Sequence, residues 1–248
     1  MRLIHIPRKA QPPGQFDGRK IEERRLVMFP DAPEGLLHSF STLFYWSYAW
    51  GNEDGLIAEH PHRGFEIMSV VIEGTLEHYD STSGTWTPLQ AGDVQVMRAG
   101  TGLTHAERVS KGTRFFQIWF DPDLRNALTQ APQYRDFRAD QFDVLDMEDM
   151  QARVIAGEGA TVELQSQARV FELSYGPGEH AMEVDEDAVF AIFVLEGKIE
   201  TDSSFIKQDD FVLVSHAELL RFTTDRPGRL FIVEVPRIPA YATLAGSH

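Results

Sequence analysis

The sequence predicts an all-β chain built as two tandem jelly-roll barrels, and three observations carry that prediction. Apolar runs of strand length recur along the chain, turn residues punctuate them, and one strand-turn-strand unit is repeated in the second half.

The runs fall at 66–72, 75–79, 94–97, 114–120, 170–175, 190–195, 211–214 and 230–235. Alternation is clearest at Phe116, Ile118 and Phe120, which an extended backbone turns to one face. The turn signals between them are residues 81–84, Ala91-Gly92-Asp93 and Gly100-Thr101-Gly102. Many short strands at this spacing make a sandwich or barrel, with the jelly roll the leading candidate. The repeat is more informative. Val71-Ile72-Glu73-Gly74-Thr75-Leu76-Glu77 returns 123 residues later as Val194-Leu195-Glu196-Gly197-Lys198-Ile199-Glu200. Gln90-Ala91-Gly92-Asp93-Val94 is answered by Lys207-Gln208-Asp209-Asp210-Phe211 at an offset of 117. Two matching units in the same order imply a duplicated barrel. Between the copies, residues 121–159 form a bridge, charged and helix-prone around 140–153. Residues 238–248 are small and polar enough to be a loosely held tail. The expected division is therefore an N-terminal barrel at 1–135, a C-terminal barrel at 136–236 and a tail at 237–248.

Composition narrows the function classes. The 248 residues suffice for two barrels with sizeable cores. Lys and Arg number 23 against 38 Asp and Glu, a formal net charge of −15 spread along the whole chain. Such a surface repels a phosphate backbone, so direct nucleic-acid binding is not expected. The basic stretch 19–25 carries Glu22 and Glu23 within it and reads as a solvated surface segment. With no cysteine there is neither a disulfide framework nor a thiolate ligand nor a cysteine nucleophile, leaving histidine and carboxylate for any metal chemistry. No run approaches the ~18 apolar residues of a membrane span, and residues 1–13 have no apolar core of a signal peptide. A cytoplasmic location, without membrane association, is the expectation.

Two short motifs carry the chemistry. His60-Pro61-His62 sets two imidazoles at i and i+2, which a strand turns to the same side. His105-Ala106-Glu107 repeats that spacing. Facing each other across a small barrel, the pairs would supply three nitrogens and one carboxylate oxygen to one ion. One or two coordination positions would stay free for substrate or dioxygen. Their order, with Gly74, Gly92-Asp93 and Gly100-Thr101-Gly102 between the pairs, strengthens the reading well beyond either motif alone. Phosphate-cradling loops, dinucleotide fingerprints, nucleophile elbows and zincin motifs are absent.

The segments His60-Pro61-His62-Arg63-Gly64-Phe65-Glu66, 72–78, 91–95 and 99–107 resemble the cupin superfamily and, within it, the pirin family. The resemblance is strong over 59–107 and positional beyond. It implies a bicupin whose N-terminal barrel holds a non-haem iron(II) or another divalent ion (Mn, Ni, Cu or Zn) through His60, His62, His105 and Glu107. The general cupin pattern sets its carboxylate soon after the first histidine pair, where this chain has Glu66; both glutamates are candidates, with Glu107 favoured by the resemblance. The implied activity is that of quercetin 2,3-dioxygenase, opening a flavonol or similar enolisable aromatic with O2, with Glu107 accepting the substrate's proton. The alternative it implies is a non-catalytic, iron-dependent redox sensor acting as a co-regulator through an unidentified protein partner. One segment departs from the pirin pattern. Where pirins carry Asp-Pro-Phe, residues 43–50 read Leu-Phe-Tyr-Trp-Ser-Tyr-Ala-Trp, expected as core packing with a barrel-mouth lining as the alternative.

The second copy is expected to lack the metal. The offset of 123 carries His60 and His62 to Glu183 and Asp185, and that of 117 carries His105 and Glu107 to Phe222 and Thr224. His216-Ala217-Glu218 mimics the second motif only by eye. His5, His38, His78, His180 and His248 have no partner at ligand spacing and read as ordinary surface or packed histidines.

Overall fold

A computed structural model describes residues 1–33 and 36–245. The chain divides into two compact units, one of Pro12–Gln141 with 241–245, the other of Met1–Gln11 with Phe142–Ala240. His248 lies outside the described residues.

The first unit is two antiparallel sheets. Seven strands run in the order β12 (Gln133–Phe137), β9 (Val94–Arg98), β6 (Glu66–Glu73), β11 (Arg114–Phe120), β4 (Leu43–Gly51), β3 (Ile21–Val27), β2 (Pro13–Phe16). Four more run β5 (Gly55–His62), β10 (Leu103–Val109), β7 (Thr75–Asp80), β8 (Trp86–Gln90). The second unit repeats the plan. Its larger sheet runs β1 (Arg2–Ile6), β20 (Phe211–Ser215), β17 (Ala188–Glu196), β22 (Gly228–Pro236), β15 (Arg169–Tyr175), β14 (Met150–Ala156), β13 (Val144–Asp146). Its smaller sheet runs β16 (Gly178–Glu183), β21 (Leu219–Thr224), β18 (Lys198–Thr201), β19 (Ser204–Lys207). Every apolar run of the sequence lies within one of these strands. The repeated Glu-Gly marks the tight turns from β6 to β7 and from β17 to β18. Gly74 and Gly197 sit there at φ 77° and 82°, a left-handed conformation that glycine adopts without strain.

The bridge departs from expectation. Residues 140–153 form no α-helix; after a single 3-10 turn at Ala139–Gln141 they supply β13 and most of β14, which pairs with β15 from Met150↔Tyr175 to Ala156↔Val170. Burial of Met150, Ala152 and Ile155 against that sheet outweighs a local helix preference. The one α-helix among the described residues is α1 (Leu124–Ala127), capped by the Asp123 side chain, and no helix is long and apolar enough to cross a membrane. The tail is also held. Tyr241 donates its hydroxyl hydrogen to the Asp121 carbonyl at 3.0 Å, Leu244 N–H donates to the Asp121 carboxylate, and Thr243 is buried.

Inside the first barrel the apolar side chains form two floors. Ile21, Ala49, Ile57, Val71, Leu76, Leu89, Val109 and Phe115 make one. Ile67, Met97, Ala99 and Leu103, with Phe65 and Trp119 against them, make the other. Three strands pass through both: β6 by Val71 and Ile67, β10 by Val109 and Leu103, β11 by Phe115 and Trp119. The inward positions between the floors are Ser69, His105, Glu107 and Gln117, all buried. A polar layer thus lies between two apolar ones.

Candidate metal centre

β5 and β10 set the histidines face to face. Their antiparallel register opposes His105 to His60 and Leu103 to His62. Beyond His105 the register slips, so that Glu107 opposes Ile57 and β5 carries one extra residue. That bulge buries Ile57, leaves Leu56 outside, and lets His60 Nδ1 bond the Ala58 carbonyl at 2.8 Å. A carbonyl only accepts, so Nδ1 carries the hydrogen and His60 Nε2 presents its lone pair. His60 Nε2 and His62 Nε2 each lie 2.8 Å from His105 Nε2. Trp119 packs edge-on against the His62 ring, centroids 4.7 Å apart, and holds its orientation.

On the other side β10 pairs with β7, opposing Glu107 to His78 and His105 to Asp80. His105 Nδ1 therefore meets His78 Nε2 at 2.8 Å, and His78 Nε2 lies 3.5 Å from Glu107 Oε1. Gln117 donates from Nε2 to Glu107 Oε2 at 2.5 Å. His105 is thus shared by two groups of donors, His60/His62/His105 and His78/His105/Glu107. Three of the four sequence-predicted residues converge on one point, while Glu107 stands at the opposite edge of the His105 ring.

Burial sets the charge state of the cluster. It pushes His62 down to about 4, with His60 beside it adding repulsion, and His78 down to about 3. His105 is lowered further by burial and by its three imidazole neighbours. Burial pushes Glu107 up to about 7, against the opposing hydrogen bond from Gln117. His62, His78 and His105 are therefore neutral, and each hydrogen shared among the three Nε2 atoms in mutual contact can relieve at most one lone pair. Glu107 Oε1 is buried with no hydrogen-bond partner. A cation among the three Nε2 atoms would satisfy their lone pairs, and a small outward movement of the rings would meet the ~2.0–2.1 Å bonds of a His-ligated divalent ion, with Glu107 Oε1 in the neighbouring donor group on the far side of His105. The donor set fits such an ion.

Other candidates fall elsewhere. Residues 63–65 leave the strand, so alternation from His62 does not carry to Glu66. That carboxylate shares a face with Met68 and Val70, and accepts from Arg98 Nε at 3.1 Å, outside both donor groups. His216 and Glu218 are exposed in the turn between β20 and β21. In the second barrel the sequence offset of 123 misplaces the first motif. β16 opposes His180 to Phe222 and Met182 to Leu220, as β5 opposes His60 to His105 and His62 to Leu103. The counterparts of His60, His62 and His105 are thus His180, Met182 and Phe222, and the last two belong to the apolar core. His180 is held by Asp149 at 2.6 Å and the Gly176 carbonyl at 2.8 Å. His78 was the residue sequence spacing missed; its only signal is the cross-strand position opposite Glu107.

Beside His60 a cavity of about 240 Å³ opens, lined by Phe16, Phe29, Phe115, Trp119, Ile57 and Ala49 with Glu23, Arg25, Tyr45, Ser47 and Gln117. Alternation divides the departing segment 43–50. Tyr45, Ser47 and Ala49 face this cavity, while Trp46 and Tyr48 pack on Phe116 from the other face of β4. Nor is 19–25 wholly solvated, because β3 turns Glu23 into the barrel, where it is 3% exposed.

The duplicated barrel with one histidine-rich centre defines a bicupin. The pirin family model matches residues 25–120. A Pseudomonas aeruginosa protein named "Putative quercetin 2,3-dioxygenase" is 31% identical over 87% of this chain and 99% of its own length. The quercetin 2,3-dioxygenase of Escherichia coli is 41% identical over 33% of this chain and 36% of its own. The bacterial pirin YhhW of Escherichia coli, solved in complex with nickel(II), superposes with a TM-score of 0.80 at 18% identity, covering 96% of this chain and all of that one. The chain belongs to the pirin family.

Proposed function

We propose that the first barrel holds one divalent metal ion through His60, His62, His105 and Glu107, and that the protein is a metal-dependent dioxygenase of quercetin-like flavonols or related enolisable aromatics. The observation that carries this reading is the meeting of three Nε2 atoms beside an aromatic-lined cavity that His60 itself lines. The names of the family's quercetin 2,3-dioxygenases support the reaction class. Iron(II) is the ion assigned; Mn, Ni, Cu and Zn suit the same donors, and the recovered metal follows availability as much as preference.

When bound, the ion supplies Lewis acidity to a phenolic oxygen and electron exchange with dioxygen. The chain's own residues do the rest. Glu107 Oε1 takes the proton of the substrate hydroxyl, and burial holds this carboxyl near the pH at which it can both accept and return a proton. Gln117 fixes Oε2 and leaves Oε1 for that exchange. Phe29, Phe115 and Trp119 stack on a flat ring and exclude water from the reacting atoms. Elemental analysis with dioxygen uptake on quercetin tests the reading. It expects about one metal equivalent per chain and uptake that Glu107→Gln lowers by about 10²-fold or more. Uptake no faster than that of free metal ion would overturn it.

A further inference from the structure

The cavity has a polar end that the oxygenation chemistry does not use. Glu23 on β3 accepts a hydrogen bond from Arg25 Nε at 2.7 Å and another from the Tyr45 hydroxyl on β4 at 3.0 Å. Gly14 on β2 lies over this pair. A Cβ at that position would come within 2.1 Å of Glu23 Oε1 and 2.8 Å of Arg25 Nη2, so the bare backbone is what leaves the pair its room. Burial, with Glu23 beside it, raises the Tyr45 phenol well above its ordinary value, so Tyr45 stays a neutral donor and Glu23 is the acceptor.

Position on the sheet separates this end from the histidines. Arg25 opposes Ser47, and Ser47 opposes Gln117, the partner of Glu107. Arg25 is therefore two strands from Gln117, about 10 Å at ordinary strand spacing. Its guanidinium has five N–H donors and commits Nε to Glu23, keeping donors for the cavity it lines. An acceptor and a donor thus sit side by side with no net charge between them. A carboxylate ligand would meet the repulsion of Glu23. A pair of adjacent hydroxyls fits, one donating to Glu23 and its neighbour accepting from Arg25. The walls of Phe16, Phe29, Tyr45, Phe115 and Trp119 require the group that carries them to be flat.

We infer that Glu23 and Arg25 recognise a vicinal dihydroxyaryl group at the end of the substrate remote from the histidine cluster, making a catechol-bearing flavonol the preferred substrate. The inference rests on the dioxygenase reading above.

Anaerobic binding to the metal-loaded protein, followed by tryptophan fluorescence quenching, tests it without turnover. The probes are quercetin, with two adjacent hydroxyls on the remote ring, kaempferol, with one, and galangin, with none. Wild type is expected to prefer quercetin to galangin by roughly 10–100-fold, with kaempferol between. Glu23→Gln and Arg25→Met should each bring that ratio within about threefold; should Glu23→Gln fold poorly, Arg25→Met alone carries the comparison. Equal wild-type affinity for all three flavonols, or a preference that survives in the folded variants, overturns this assignment and leaves the dioxygenase reading standing. Failure of wild type to bind any of them overturns both.

Discussion

His105 touches the other three imidazoles of the centre: His60 and His62 through Nε2, His78 through Nδ1. Its removal should abolish stoichiometric metal binding, leaving less than about 0.1 equivalent by elemental analysis. His78 acts differently. An ion bound at His105 Nε2 would leave the hydrogen on Nδ1, where His78 Nε2 accepts it at 2.8 Å, orienting the ring and raising its basicity. His78→Phe should keep the one-to-one stoichiometry and weaken affinity about 10–100-fold in a chelator competition. The metal-free protein should also show these residues in its pH dependence. His62 and His78 are held neutral at about 4 and 3, against 6.5 for a free imidazole. The unfolded chain therefore takes up protons first. Stability from these groups is complete above pH 6.5 and is lost as pH falls toward 4. Glu107 works in the opposite sense: its protonated form is favoured in the fold, so its contribution is lost as pH rises from 4.5 to about 7. Scanning calorimetry of the stripped protein should show a melting temperature that falls on both sides, and Glu107→Gln should remove the decline on the alkaline side.

Among the elements, β1 and β5 have consequences beyond their length. β1 covers the edge of β20 from Arg2↔Ser215 to Ile6↔Phe211, and His5 and the Arg8 amide both bond Asp210 at 2.9 Å. Deleting Met1–Gln11 leaves β20 as a bare apolar edge. The expected result is a melting temperature lower by about 5–15 °C, with concentration-dependent association visible by light scattering. The extra residue in β5 has a local role: it turns Ile57 inward and gives His60 Nδ1 its carbonyl partner. Neither effect has a signature in the motif itself. The pair His60-Pro61-His62 announces two imidazoles on one side, and the pairing with β10 decides what faces them.

At the scale of the whole molecule, duplication produced two barrels of one plan and a single centre. His180, Met182 and Phe222 stand where His60, His62 and His105 stand in the first barrel, and an apolar core fills the space. The chain should therefore bind one equivalent of metal and not two, with His180→Ala leaving the stoichiometry unchanged by elemental analysis. A net charge of −15 distributed over both halves also predicts no retention of duplex DNA in fluorescence anisotropy at physiological salt.

The fold was largely legible, because short alternating runs and a repeated turn are local properties. His60, His62 and His105 were legible for the same reason, since spacing two along an extended chain fixes a common side whatever the partner strand. Residues 140–153 misled because local propensity there is weaker than burial against β15. Glu66, the less favoured carboxylate, falls outside both donor groups because three residues outside the strand reset the alternation. His78 and the Glu23–Arg25 pair were hidden for a different reason. Their roles come from strands distant in sequence, β7 against β10 and β3 against β4, and cross-strand register is settled only when whole sheets bury their apolar faces. The convergence of the three histidines was thus a matter of local spacing, while the carboxylate's neighbours, the orientation of the imidazoles and the polar end of the cavity were decided by pairing across the barrel.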